Sequence, residues 1–246
     1  MRRVRVFTDQ PLSPGHTVSL EAGPAQHVAR VLRLAPGDPL TLFNGDGCDY
    51  PAVLESVARR SVSARVIGRE AVDNESPLAV HLVQGISRGE RMDWVVQKAV
   101  ELGVGRLSPV LMERTVVRLD AERRRRRLEH WRGVMVAACE QCGRARLPRL
   151  EAPQPLPAWL ANEGAGAGEL RLFLDPEGAM GWGDVPGRPA SVCLVVGPEG
   201  GLSEEERARL REAGFRGVRM GPRILRTETA AVAALTAVQM RWGDLA

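Results

Sequence analysis

Lysine is almost missing from this chain: Lys98 stands alone among 34 basic residues, and all the others are arginine. Such a skew reads as compositional bias, and it marks Lys98 as a position to watch. No stretch approaches the roughly 18 consecutive apolar residues that a membrane span needs. The N-terminal MRRVRVFTDQ is basic but has neither an apolar core nor a small-residue cleavage site, so it is not a signal peptide. The expectation is a cytoplasmic protein with no membrane partner. Cysteine is scarce, at 48, 139, 142 and 193, with a single C-x-x-C and no second pair or close histidines. Cys139 and Cys142 fit one helix face as small buried thiols, and no metal is expected. Phosphate cradles are lacking too. There is no G-x-x-x-x-G-K-[ST], and Gly164 and Gly166 lack the third glycine of G-x-G-x-x-G.

What is present suits a globular chain of one large or two small domains: 246 residues, 44% hydrophobic and 26% charged. The net charge of +4 is small but unevenly placed, because residues 106–149 carry twelve arginines against five acids. That local excess suits a polyanion-facing surface or a solvated helix face.

Residues 4–8, 17–20, 39–43, 50–57 and 61–67 read as strands, with a short helix over 27–34 and an Asn-Gly-Asp-Gly turn at 44–47. Short strands with regular turns predict a small barrel or sandwich over 1–70, followed by a polar linker at 71–77. From 78 to 246 strands alternate with helices: strands at 78–84, 107–112, 170–174 and 192–196, helices at 91–102, 120–142 and 156–161. That alternation predicts a parallel sheet covered on both faces.

Two glycine-punctuated loops dominate the C-terminal third. Gly197-Pro198-Glu199-Gly200-Gly201 leaves the β-branched run 192–196, and residues 221–226 leave the short run 218–220. Both run into helices. Ser203 and Glu206 form a capping box, and Thr227 is the expected N-cap of an apolar last helix over 228–241. Loops at the carboxyl ends of buried strands are where open α/β sheets hold ligands; tight βα turns are the alternative. With no lysine near either loop and Glu199 repelling anions, the loops suit a neutral or cationic ligand with an adenine to hydrogen-bond.

The pair GPEGGLS (197–203) and MGPRILRTETAA (220–231) resembles the signature of the ribosomal-RNA small-subunit uridine-N3 methyltransferase family, of the knotted SPOUT class. RMDWVVQKAVELGV (91–104), PVLMERT (109–115), EQCGR (140–144) and HVARVLRLAPGD (27–38) resemble its other boxes, in order along nearly the whole chain. Departures are Val100 where the family has Thr, Met220 where it has Leu, and Arg88 where Lys is commoner.

The resemblance implies an α/β fold: a PUA-like RNA-binding β-barrel over 1–70 and a SPOUT parallel-sheet domain over 78–246 with a trefoil knot. It implies S-adenosylmethionine as cofactor, held by three loops: at Leu174, at Gly197 and Gly201, and at Met220, Gly221, Ile224, Leu225 and Thr229. It implies a homodimer acting on 16S rRNA in the small ribosomal subunit. Arg30 and Arg33, with Arg2, Arg3 and Arg5, become candidates for RNA phosphate in the barrel, with surface solubility the alternative; Arg88, Lys98, Gln141 and Arg144 are further RNA candidates.

Methyl transfer from a sulfonium is an in-line displacement, so the protein chiefly aligns donor and acceptor. N3 of uracil carries a proton that must leave. Arg226 or Arg114 would stabilise the resulting anion, and Glu199 or Glu101 would take the proton. Bland roles stay open: Lys98 and Glu101 pairing with each other, Glu199 binding its own loop. Ribose 2′-O-methylation of RNA and a non-catalytic RNA-binding or assembly role are the alternative functions.

Overall fold

The computed structural model describes residues 4–58, 61–117, 119–164 and 166–245. Arg2 and Arg3 lie outside the described residues. The chain forms two compact units: residues 1–75 with 136–147, and residues 76–135 with 148–246.

The first unit is a mostly antiparallel sheet of six strands in the order β1 (Arg5–Phe7), β3 (Pro39–Phe43), β4 (Cys48–Val57), β5 (Val62–Val66), β2 (Thr17–Ser19), with β6 (Glu70–Ala71) against β4. Burial along β4 alternates over its first seven residues, as a strand with one face on a core requires. That core joins Val6, Leu40, Leu42, Tyr50, Leu54, Val62 and Ala64. The turn before β4 follows its sequence: Gly45 and Gly47 take positive φ, while Asp46 accepts from the Cys48 N–H and the Tyr50 hydroxyl.

Three expectations shift here. The helix over 27–34 is instead α1 (Ala22–Gln26) running into a π-helical stretch, His27–Leu32, which Arg33 ends in the left-handed region at φ 53°. Residues 136–147, expected with the second domain, group with the first unit. Arg5 explains why: it donates to the Cys139 carbonyl at 2.9 Å and to Asp49 at 2.5 Å, while the Phe7 N–H donates to Glu140. Ala71, assigned to the linker, pairs with Cys48.

The second unit is a wholly parallel sheet in the order β10 (Gln154–Pro155), β8 (Arg106–Leu111), β7 (Ala79–Gly85), β13 (Ser191–Val196), β11 (Glu169–Leu174), β14 (Arg216–Arg219), β12 (Met180–Gly181), with β9 (Arg149–Leu150) also on β8. Both faces are covered. Val83, Phe173, Cys193 and Val195 pack with Trp159 of α4 (Leu156–Asn162) and Leu210 of α5 (Glu204–Glu212). On the other side α2 (Glu90–Glu101) packs with α6 (Thr227–Trp242), which buries Ala231, Ala234, Leu235 and Val238. The apolar composition of the last helix predicts burial nearly all round. It is buried along one stripe only, and Met240 is exposed. The long helix α3 (Ala121–Cys142) completes the set. Among the described residues no helix is long and apolar enough to cross a membrane.

Strand order reverses between β7 and β13, the place where open parallel sheets open a crevice at their carboxyl edge. Gly85 ends β7 there, and a Cβ on it would come within 2.5 Å of the Pro198 nitrogen. Only glycine lets the two strand ends approach so closely.

Candidate functional site

Five loops leave the carboxyl ends of β7, β8, β11, β13 and β14. The loop after β13 turns tightly, with the Gly201 N–H donating to the Pro198 carbonyl at 2.9 Å. Gly197 sits against its own loop, a Cβ there falling 3.1 Å from the Gly201 carbonyl carbon. Gly201 has φ 68° and Gly221 φ 76°, and at both no atom lies within 4 Å of where a Cβ would stand. Bare backbone facing open space is what a closely held ligand requires.

One chain of hydrogen bonds joins these loops. The Gln84 amide Nε2 donates to the Thr227 hydroxyl at 2.9 Å, and that hydroxyl donates to the Gly197 carbonyl at 2.6 Å. Because the hydroxyl proton is used on Gly197, it must accept from Gln84, which fixes the amide's orientation. The Gln84 side-chain oxygen is then left buried without a partner among the described residues. This also moves the helix start. Thr227 was expected to cap α6, but its hydroxyl goes to the loop, and Arg226 occupies the cap position without a side-chain cap bond. The Ser203–Glu206 capping box forms as the spacing predicted, and Glu206 also accepts from the Glu113 N–H at 2.8 Å, binding the loop after β8.

Charge around the site is organised by Arg91. Its Nη1 donates to Glu199 Oε1 at 2.9 Å, and its Nε lies 4.0 Å from Glu228 Oε1. Glu199 Oε1 also accepts from the Arg88 N–H at 2.9 Å. Burial acts to raise the Glu199 pKa, but the hydrogen bonds from Arg88, from its own backbone N–H and from Arg91 outweigh it and hold the carboxyl below its usual range. Glu228 Oε2 is buried and has no hydrogen-bond partner among the described residues. Arg114 Nη1 donates to the Gly200 carbonyl at 3.1 Å, and its Cβ lies 2.8 Å from where a Gly200 Cβ would be.

The remaining candidates fall in different settings. Leu174 ends β11 half-buried; after it the Asp175 carboxylate is held between Arg207 and Arg211. Met220 and Leu225 are half-buried; Arg226, Thr229 and Ile224 are exposed, Ile224 by 84%. Arg30, Arg33, Arg88 and Gln141 are exposed. Lys98 bonds both oxygens of Glu101 at 2.9 Å, the pairing their spacing allowed. Arg144 is a correction: it is 5% exposed, with Nε and Nη2 both on Glu75 Oε2 at 3.0 and 2.6 Å. Its guanidinium is used inside the first unit rather than offered to solvent. Arg91, Gln84 and Thr227 were not singled out as site residues. The RTET stretch contained the hint for Thr227, but long-range partners such as Gln84 leave no local signal.

A parallel α/β sheet with joined loops at its carboxyl edge, carried beside a small β domain, is matched by two family descriptions. The RNA methyltransferase domain covers residues 74–239, and the RNA methyltransferase PUA domain covers residues 25–67. The chain belongs to this RNA methyltransferase family. Among its relatives, Ribosomal RNA small subunit methyltransferase E of Mycobacterium bovis is 34% identical, covering 96% of this chain and 92% of its own. The protein of the same name from Bacillus subtilis is 31% identical over 94% of this chain and 93% of its own. A solved structure of the Neisseria gonorrhoeae protein of that name, bound to S-adenosyl methionine, superposes with a TM-score of 0.91 at 37% identity over 100% of both chains. A methyltransferase from Legionella pneumophila with bound SAM gives 0.94 at 40% identity, again over 100% of both.

Proposed function

We propose that this protein transfers the methyl group of S-adenosylmethionine to N3 of a uridine in 16S rRNA of the small ribosomal subunit. The observation that carries the reading is the tie from Gln84 through Thr227 to Gly197, which holds the loops after β7, β13 and β14 as one unit beside open backbone at Gly201 and Gly221. The relatives named for small-subunit rRNA methylation, and those solved with the cofactor bound, support it.

The residues present fit that cofactor. Gly197, Gly201 and Gly221 give unobstructed backbone, and Leu174, Met220, Ile224, Leu225 and Thr229 flank the loops. When bound, S-adenosylmethionine supplies a methyl group on a positively charged sulfur. The protein's work is to align uridine N3 with it and exclude competing nucleophiles. Arg114 and Arg226 are the proposed stabilisers of the uracil anion, with Glu199 holding the loop through Arg88 and Arg91.

The RNA would meet Arg30 and Arg33 of the first unit, and Arg88, Lys98 and Gln141. A groove of about 470 Å³ lined by Val117, Leu119, Arg123, Arg126, Arg127 and His130 adds a basic surface with an apolar floor, suited to phosphates flanking a base. A homodimer is supported by α6, where Val232, Ala233 and Ala237 stay half-exposed and Met240 exposed. A threaded C-terminal segment, as in knotted SPOUT enzymes, and a cytoplasmic location complete the reading.

The test is nucleoside mass spectrometry of small-subunit RNA after incubating undermethylated subunits with the protein and S-adenosylmethionine. 3-Methyluridine is the expected product. A ribose-methylated nucleoside, or no product despite measured cofactor binding, would overturn the reading.

A further inference from the structure

A buried carboxylate oxygen without a hydrogen-bond donor is costly, on the order of 1–3 kcal/mol or more when charged. Glu228 carries one. It lies in the first turn of α6, one residue beyond the Thr227 that is tied to Gly197, so backbone connectivity places it beside the loops. Its Oε1 faces Arg91 Nε at 4.0 Å, while Oε2 is buried and, among the described residues, meets no donor. The charged groups linked to it are Arg91 from α2 and, through another nitrogen of that guanidinium, Glu199 from the loop after β13.

The two carboxylates differ in a way that assigns their roles. Glu199 spends Oε1 on two strong donors, Arg88 N–H and Arg91. Those bonds anchor the loop and weaken Glu199 as a proton acceptor. Glu228 keeps one oxygen uncommitted, and Arg91 limits which way its carboxylate can turn. We propose that the Glu228 carboxylate, kept basic by its undonated Oε2, is the acceptor of the uridine N3 proton, with Arg91 as the positioning residue that faces both Glu199 and Glu228. The inference rests on the N3 reading given above.

The step balances. The N3–H bond breaks and its proton passes to the Glu228 carboxylate, leaving the electron pair on N3. N3 then bonds to the methyl carbon as the carbon–sulfur bond breaks, with that pair staying on sulfur. The products are 3-methyluridine, S-adenosylhomocysteine and one proton, which Glu228 returns to water.

The experiment compares the parent with Glu228→Gln and Glu228→Asp on undermethylated small subunits. It measures single-turnover rates from pH 6 to 9, cofactor affinity by calorimetry, and the methylated position by mass spectrometry. Glu228→Gln should be about 100-fold or more slower, the usual scale for losing a general base. Its cofactor Kd should stay within about twofold of the parent's, and its rate should climb with pH as N3 ionises by itself. Glu228→Asp should recover part of the rate. Intact cofactor binding shows that the variant is folded. A rate within about threefold of the parent, or a loss matched by weaker cofactor binding, overturns the proposal; the second result would make Glu228 a partner of the cofactor's ammonium. A parent product methylated elsewhere than N3 overturns the underlying reading itself, whatever the variants do.

Discussion

The Thr227 hydroxyl donates to the Gly197 carbonyl across 2.6 Å, joining residues 30 apart in sequence. Neither partner is replaceable by shape alone. Thr227→Val keeps the volume but strands the Gly197 carbonyl and one Gln84 amide hydrogen, the other staying on the Gly85 carbonyl. The expected outcome is a loss of about 1–3 kcal/mol in stability and at least a tenfold weaker affinity for S-adenosylmethionine. Thr227→Ser should keep most of both. Urea denaturation and titration calorimetry on the two variants decide it.

Gly201 tests the loop differently. At φ 68° with open space around it, it is limited by backbone conformation and not by a neighbour. Gly201→Val should cost roughly 1–2 kcal/mol of local strain and fill the space a ligand would occupy. Cofactor affinity should fall by well over tenfold, with the thermal midpoint moving only a few degrees. Unchanged affinity by calorimetry would remove this loop from the binding site.

Arg144 belongs to stability. Its pairing with Glu75 and its low exposure mean that Arg144→Ala leaves that carboxylate with the weaker Arg146 N–H bond at 3.3 Å and without its charged partner. A loss of about 1–3 kcal/mol in urea denaturation is expected, discounted because Glu75 is partly solvated. Glu75→Gln combined with Arg144→Met should show a coupling near 1 kcal/mol or more in a double-mutant cycle. Additive effects would mean that the pair contributes nothing.

His81 gives the second unit a pH dependence. Burial, and then the Arg106 charge, push its pKa down to about 3. Ser108 gives its proton to Glu151 at 2.6 Å and accepts from His81 Nε2 at 2.8 Å, so the ring is neutral with its hydrogen on Nε2. The unfolded chain binds this proton near pH 6.5 and the folded chain does not until about pH 3. Stability is therefore lost as pH falls through that window, by up to about 1.4 kcal/mol per unit from this group. Glu151, whose pKa is held low against its own burial by Ser108 and Arg106, adds loss in the same direction. His81→Gln should flatten the slope of stability against pH between 6.5 and 4. An unchanged slope would assign the dependence to the carboxylates alone.

How much of this was legible beforehand depended on the range of each interaction. The capping box at Ser203 and Glu206 is a three-residue event, and spacing alone placed it. The parallel sheet followed from alternation, and the turn before β4 from Asn44-Gly45-Asp46-Gly47. The start of α6 slipped by one residue because the Thr227 hydroxyl had a distant acceptor that local capping rules do not see. Arg144 looked like an RNA contact on its charge, but Glu75 neutralises it, and nothing in the spacing of residues 69 apart announces that pair. Arg91 went unnoticed because its importance lies in two carboxylates, one from the loop after β13 and one from the first turn of α6, and the fold alone brings them to it.

The division of α3 orders events in time. Its first turns belong with the second unit, while residues 136–142 and the segment to 147 belong with the first. During synthesis the first 75 residues emerge well before the segment they need. Arg5 and Glu75 wait for Cys139 and Arg144 while residues 76–135, the opening part of the other unit, are already outside the ribosome. The N-terminal unit therefore cannot finish as an independent first domain, as consecutive domains commonly do. A nascent chain stalled with residue 110 exposed should be protease-sensitive throughout, and protection of the first unit should appear only once residue 147 has cleared the exit tunnel.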